Sequence, residues 1–527
     1  SYSVTGVQTC ALPIFLSGKV ITYASLALTA NSSYKTTGRT IGLYANNQTF
    51  DMSSITWDTY NGIITQSTSM TDYHVTGSSN TYKFDITRTV KEWHNAGYTL
   101  VPGFTIRDKS SYGARNDVYS LEHGTSSSRP VLEIGFIDPV GIKDYWTYSS
   151  QDAGLAGTGY VSDLSGTLTL VRNDLSFSSI KQSFGLSMIY SVPMKDINIG
   201  YGSGWRTNYD MNITYDTSVG RYAVIDASAS KEYYHQVGSC PTKFILETNY
   251  EYFCYDAEDG SGNVLVVETD LILNGHINYL VWNPDDVYYR FDSLGYLYEI
   301  TDMNGENQLT IHIHRYGTYP YRIDYITDDV GNMIDISYNV SNQISSANLR
   351  LMQQNYSLGR VIAQTDYTMG SGNRLVGVTF KRDMNASNGM SIQGTATYGY
   401  TTSNIMTYAQ TDDATRVSYS IDGTTKRVNS ITSSFDGTTT SLVTYTYSLK
   451  KTVITDQFNN FVIYKFDDFG HTVNITDSKG TVQSFRYINL FTEWESGSIF
   501  VNEDGSPNYH YHPNHDQIGR ASCRERV

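Results

Sequence analysis

Three sets of residues in this 527-residue chain have types and spacings that could do chemistry. His312 and His314, two apart in an alternating run, would project from one strand face and could bind a metal. With no third ligand nearby, such a pair usually serves sheet packing. His510, His512 and His515, beside Asp516, form a denser cluster, but Pro513-Asn514 reads as loop. Glu258 with Asp259, and Asp285 with Asp286, are carboxylate pairs of the kind that supply acid and nucleophile in glycoside hydrolysis. Asp259-Gly260 is itself a turn signal, so solvated turns account for them more simply. No G-x-S-x-G, H-E-x-x-H or Walker pattern is present. The chain therefore reads as having no catalytic residue, no cofactor and no metal site, with any enzymatic activity placed in a further C-terminal domain.

Two tryptophans and two cysteines complete the candidates. Trp57 could stack on a sugar ring, whereas Trp93 falls in a helical apolar stripe and reads as core. Cys240 and Cys254 could form one disulfide or remain two thiols. Cys10 and Cys523 lie in end segments, residues 1–14 (SYSVTGVQTCALPI) and 518–527 (IGRASCRERV), which look like translated sequencing adapters and are set aside from fold reasoning.

The elements that position these residues read as all-β. Tyr 45, Phe 19 and Gly 43 stand against 10 Pro, and charged residues make up only 17%, a composition of strands and turns rather than helices. The net charge of -15, with no Lys/Arg stripe, opposes a phosphate backbone and disfavours nucleic acid as a partner. No run of eighteen apolar residues occurs, so no membrane-spanning helix is expected.

Residues 15–137 alternate apolar and polar positions in short runs, such as Val20-Ile21-Thr22-Tyr23 and Val131-Leu132-Glu133-Ile134, broken by Asn, Ser and Gly clusters, as in a β-sandwich. Ile86, Val90 and Trp93 have helical spacing, with Asp85 or Thr87 as cap and Gly97 as stop, which predicts one short helix closing the sandwich. This segment resembles the DNRLRE domain, a jelly-roll module related to carbohydrate-binding modules, through Phe84-Asp85-Ile86-Thr87, Val90, Trp93, Thr56-Trp57 and the closing Arg129-Pro130-Val131-Leu132-Glu133-Ile134. The resemblance implies a polysaccharide partner.

Residues 138–285 read as a β-rich segment leading into repeats. In Tyr201-Gly202-Ser203-Gly204-Trp205, the glycines let the backbone turn tightly beside a large buried ring.

The strongest signal is a repeat in residues 286–517. Tyr289-Arg290-Phe291-Asp292-Ser293-Leu294-Gly295 continues to Ile300-Thr301-Asp302-Met303-Asn304-Gly305. Tyr464-Lys465-Phe466-Asp467-Asp468-Phe469-Gly470 continues likewise to Ile475-Thr476-Asp477-Ser478-Lys479-Gly480. The two windows are identical at eight of seventeen positions. Tyr and Phe two apart take one strand face, and Arg or Lys with Asp take the other. Asp-x-x-Gly suits a tight turn in which the Asp side chain binds backbone amides and Gly adopts a positive φ. Such a ladder buries its aromatic face only by stacking on further copies. Between about residues 341 and 440 strands persist but Asp-x-x-Gly does not, so this stretch holds either diverged coils or an insertion.

These windows resemble the YD repeat of Rhs and teneurin-like proteins. The resemblance implies an N-terminal jelly roll followed by an incomplete spiral β-shell, a cocoon enclosing a C-terminal toxin of the same full-length chain, in a secreted or cell-surface protein whose export signal lies outside this sequence. The alternative is a cell-surface adhesin that binds glycans through the N-terminal module.

Overall fold

The structure is a computed structural model. It describes residues 6–7, 488–489, 518–519 and 19–485, apart from 47–69, 78, 96–102, 110–115, 121, 138–139, 144, 179–182, 218–219, 238–239, 242–243, 245–248, 259–260, 273–275, 303–308, 318, 354–357, 384–388, 449 and 468–469. The fold is all-β, with one α-helix, Thr87–Asn95, among the described residues. The chain divides into two compact units: Ser1–Pro139 with Ser448–Lys450 and Phe466–Gly470, and Val140–Tyr447 with Lys451–Lys465 and His471–Val527.

The first unit is built on two antiparallel sheets. One runs Gly6–Val7, Phe104–Asp108, Thr40–Ala45, Thr71–His74, and the other Thr81–Asp85, Val20–Thr29, Val131–Ile137. Alternation along these strands puts Ala24, Leu26, Leu28, Ile41, Leu43, Tyr82, Phe84 and Phe104 into one core. Asp85 Oδ1 accepts from Thr87 N at 2.9 Å and so caps the helix. Ile86, Val90 and Trp93 are buried, and the Trp93 ring lies 5.0 Å from Phe104. Gly97 lies outside the described residues. Gly6 and Val7, in the segment set aside above, pair with Thr105 and Phe104.

The second unit holds a five-stranded sheet, ordered Trp205–Thr207, Ser183–Ser191, Leu168–Ser178, Thr158–Ser162, Tyr148–Asp152, and a sheet of 23 strands from Asn212–Asp216 to Val482–Ser484. Each strand of the large sheet neighbours the strands before and after it in sequence. The sheet therefore starts well before residue 286, and Val287–Phe291 is its seventh strand. The described strands within residues 341–440 belong to this same sheet, in sequence order, and are not a separate inserted unit.

A single turn design recurs along the ladder. Asp292 Oδ1 accepts from Leu294 N at 3.0 Å and Tyr296 N at 2.9 Å, Gly295 N donates to Asp292 O at 2.8 Å, and Gly295 has φ 82°. Asp328 with Gly331 and Asp477 with Gly480 repeat it. So do Asn339 with Asn342, Asp456 with Asn459, Asn283 with Asp286, and Thr401 with Asn404. The first position needs a short side-chain acceptor, and the fourth needs a residue that tolerates positive φ. Asn meets both demands, which is why the pattern fades in the sequence while the geometry continues.

The lead-in segment is seated on the hairpin ends at one side of the ladder. Ile213 N donates to Gly295 O at 2.8 Å, Ile344 N to Gly200 O at 2.7 Å, Ser203 N to Asn373 O at 2.9 Å and Val428 N to Gly166 O at 2.8 Å. Thr452 Oγ1 donates to Asp163 O at 2.6 Å, and Thr147 Oγ1 lies 2.8 Å from Thr472 Oγ1. Residues 147–213 thus run the length of the ladder as a seam joining strands far apart in sequence.

Candidate functional site

The residues singled out for chemistry that the structure describes have structural partners. His312 Nδ1 lies 3.4 Å from Glu299 Oε2, and the His314 ring stacks on Tyr325 at 4.1 Å. Burial first, then the neighbouring His312, holds the His314 imidazole below its ordinary pKa. Asp286 accepts from Trp282 Nε1 at 3.0 Å in a turn, and Glu258 pairs with Arg221 at 2.7 Å. No group of three or more metal-ligating side chains occurs among the described residues. His510, His512, His515, Asp516, Asp259, Gly305 and Trp57 lie outside those residues.

The described repeat residues pack the ladder and form its turns. Phe291 is fully buried and Tyr289 half-buried on the apolar face, where Tyr289 pairs with Ile300 and Phe291 with Leu297. Arg290, on the opposite face, meets Glu299 at 3.2 Å. Thr301 and Asp302 complete that strand, pairing with Thr310 and Leu309. In the second window Tyr464 pairs with Thr452, and burial pushes its phenol up to about 12. Phe466 is buried, and Gly470, with φ 84°, donates to Asp467 O. Ile475 and Thr476 pair with Gln483 and Val482, ahead of the Asp477 turn.

Trp205 is fully buried beside Gly202 and Gly204, which have φ 101° and 83°, and its indole donates to Tyr400 OH at 2.9 Å. Beneath it lies a network that sequence reasoning missed. Arg172 pairs with Asp174 and donates to Tyr398 OH at 2.7 Å, while Tyr367 OH donates to Asp174 Oδ2 at 2.6 Å. Burial pushes the Tyr398 phenol up to about 12. Every member is buried and partnered, so the network supports the seam and offers no access to a substrate.

Cys240 and Cys254 form a disulfide. Cys254 packs with Phe244, Val266 and Leu280 in a small separate core, and Phe244 meets Trp282 edge-on at 5.8 Å.

Both sheets of the first unit carry charged and aromatic groups on their outer faces. On the four-stranded sheet, Arg107 lies 5.2 Å from the Tyr44 ring, and Lys109 pairs with Asp72 at 2.6 Å. Tyr44 is only 6% exposed and acts in packing. On the three-stranded sheet, Glu133 Oε2 accepts from Ser25 Oγ at 3.2 Å and from Lys83 Nζ at 3.1 Å, and Lys83 Nζ lies 5.4 Å from the Tyr23 ring centroid. Hydrogen bonding to Tyr23, then to Glu133, holds the Lys83 ammonium above the ordinary lysine pKa. A ring flanked by hydrogen-bonding charges, with Lys83 and Glu133 more than half exposed, is an arrangement able to hold a polyhydroxylated ligand.

Residues 11–135 match the family model of carbohydrate-binding module family 96. The match begins inside the segment set aside as adapter and ends within the last strand of the sandwich. No curated protein matches the chain. Among solved structures, it is similar to a crystal structure of TcdB2-TccC3-TEV at 10% identity and TM-score 0.25, covering 65% of this chain and 24% of that one. It is also similar to a structure of the Photorhabdus luminescens Tc holotoxin pore at 10% identity and TM-score 0.25, covering 69% and 23%. The chain thus spans less than a quarter of the length of each.

Proposed function

We propose that this chain is the attachment and shell portion of a secreted or surface protein of the Rhs/YD-repeat type. Its DNRLRE-like N-terminal unit holds a polysaccharide, and the ladder serves as a non-catalytic wall. The observation that carries this reading is the match of residues 11–135 to a carbohydrate-binding module. The solvent-facing ring and charge cluster of the same unit supports it.

The ladder reading draws support from the recurring turn and the one-sided aromatic stripe, which make a wall without a reactive centre. The Cys240–Cys254 disulfide suits an oxidising, extracellular setting. In this reading the shell belongs to a longer chain and surrounds a C-terminal toxin domain of that chain. The test is co-sedimentation of the 527-residue chain with a panel of insoluble polysaccharides. Saturable retention on at least one is expected, and uniform absence of retention contradicts the attachment role.

A further inference from the structure

Where the second unit begins, a lysine, a carboxylate and a side-chain amide are held together largely out of water. Residues 141–143 lie against the turn at 228–230. Ile142 N donates to Ser228 Oγ at 2.9 Å, and a Cβ on Gly141 would stand 2.7 Å from Ser230 N. Lys143 N donates to Tyr148 OH at 2.8 Å, and that hydroxyl donates to Gly141 O at 3.2 Å. These bonds fix the backbone from which the Lys143 side chain extends, and only 15% of that side chain is exposed.

The Lys143 amine faces Glu232, on the strand Lys231–Gln236. The Glu232 side chain is 6% exposed. It accepts from Tyr234 OH, from Ser261 Oγ at 2.8 Å, and from Asn263 Nδ2 at 3.0 Å and 3.1 Å on its two oxygens. Neutral donors therefore satisfy this carboxylate without the lysine. Lys143 Nζ stands 3.8 Å from Glu232 Oε1, outside hydrogen-bond length. Asn263 Nδ2 is 3.0 Å from that same oxygen. One carboxylate oxygen thus faces an amine and an amide together. Asn263 is itself fixed, its N donating to Ser261 Oγ at 3.3 Å and its O accepting from Ala257 N at 3.0 Å. A second carboxylate, Asp226, is turned to Ser228 Oγ at 2.7 Å and Ser230 N at 2.9 Å. Burial pushes the Asp226 carboxyl up, and the Lys143 ammonium opposes that shift. Desolvation disfavours an ammonium and makes a buried lysine a nucleophile once a nearby base takes its proton. Groups held side by side react as if at very high concentration.

We propose that Lys143 and Asn263 join in an intramolecular amide bond, with Glu232 as the proton carrier. The bond would fasten the start of the second unit to the connection between the strands Tyr250–Ala257 and Val264–Asp270. Lys143 Nζ gives a proton to Glu232 and adds to Asn263 Cγ. Glu232 passes that proton, and then a second from Nζ, to Nδ2. The Nζ–Cγ bond replaces the Cγ–Nδ2 bond, the amide nitrogen leaves as ammonium, and Glu232 ends as the carboxylate it was. Nothing is oxidised or reduced, so the folded chain needs no co-reactant.

The test is mass spectrometry of the full 527-residue chain, folded, then reduced and denatured, with tryptic mapping. The expected mass is one ammonia below that of the sequence, with a branched peptide joining Lys143 to Asn263 and no cleavage after Lys143. Lys143→Arg and Glu232→Gln should each restore the full sequence mass. The unsubstituted chain decides the matter even if a variant fails to fold. Its full sequence mass, with ordinary cleavage after Lys143, overturns the proposal. A mass one water lower with Lys143 joined to Asp226 or Glu232 overturns the assignment of Asn263, and a Lys143–Asn263 bond that survives Glu232→Gln overturns the role of Glu232.

Discussion

Arg172 and Asp174, two residues apart on the strand Leu168–Ser178, form a fully enclosed ion pair at a bulge where Asp174 falls out of register with the neighbouring strand. The pair is clamped from the large sheet by Tyr367 and Tyr398, so two tyrosines about 200 residues downstream complete the coordination of a lead-in strand. Asp174 and the tyrosines keep the Arg172 guanidinium protonated against the opposing effect of its burial. Removing the carboxylate strands a charge in the interior. Asp174→Asn is expected to lower the stability of the second unit by about 3–5 kcal/mol, read as a shift in the urea midpoint of Trp205 fluorescence. Tyr367→Phe, which removes one hydrogen bond, should cost about 1 kcal/mol.

Asp163 gives the seam a pH dependence. Its side chain is buried, accepts from Ser149 Oγ at 2.6 Å, and is pushed up to about 6 by burial. The folded state therefore binds this proton more tightly than the unfolded chain. The stability linked to it is full below the ordinary carboxylate pKa and is lost as pH rises through about 6. Asp163→Asn should leave stability at pH 3.5 unchanged and raise it at pH 7 by up to about 3 kcal/mol. Unfolding curves of both proteins at the two pH values check the sign.

The turn design predicts opposite outcomes at two positions with positive φ. A Cβ at Gly295 would lie 2.3 Å from Ile213 O, where the first strand of the sheet docks. Gly295→Ala should thus cost about 2 kcal/mol or more. Asn459, with φ 63°, closes a turn at the opposite ends of the strands, and Asn459→Gly should change stability by less than about 0.5 kcal/mol. Thermal unfolding of the two variants distinguishes turn strain from a general intolerance of substitution.

The disulfide closes a loop with a sequence separation of 14. Cys240→Ser with Cys254→Ser should destabilise the sheet by about 3 kcal/mol, and a reducing agent should reproduce the loss in the unsubstituted protein but not in the double variant. Equal sensitivity to reductant in both would contradict the assignment.

Much of this architecture was legible in the residues. Ile86, Val90 and Trp93 marked a helix-closed sandwich because apolar spacing reports a buried face directly. Asp292 and Gly295 marked the turn because each residue type has a backbone reason to be there. The large sheet's start at Asn212 was not legible, since its first six strands do not carry the Tyr-x-Phe-Asp-x-x-Gly window of the later ones. Asn342 and Asn404 hid the ladder's continuity by meeting the same φ requirement with a different residue. The Tyr23 face was missed because a bulge at Thr22 reverses the alternation from which a strand's inside and outside are read. Arg172 and Asp174 gave no local sign, because their partners are set by strand order and not by spacing.

The central claim, that the N-terminal unit attaches this β-scaffold to a polysaccharide, is tested most directly by isothermal titration of the full chain with a soluble polysaccharide that it retains on co-sedimentation. The account predicts saturable heat with one site per chain, reduced by Glu133→Gln. A flat titration, or heat unaffected by any substitution within residues 11–135, would contradict it.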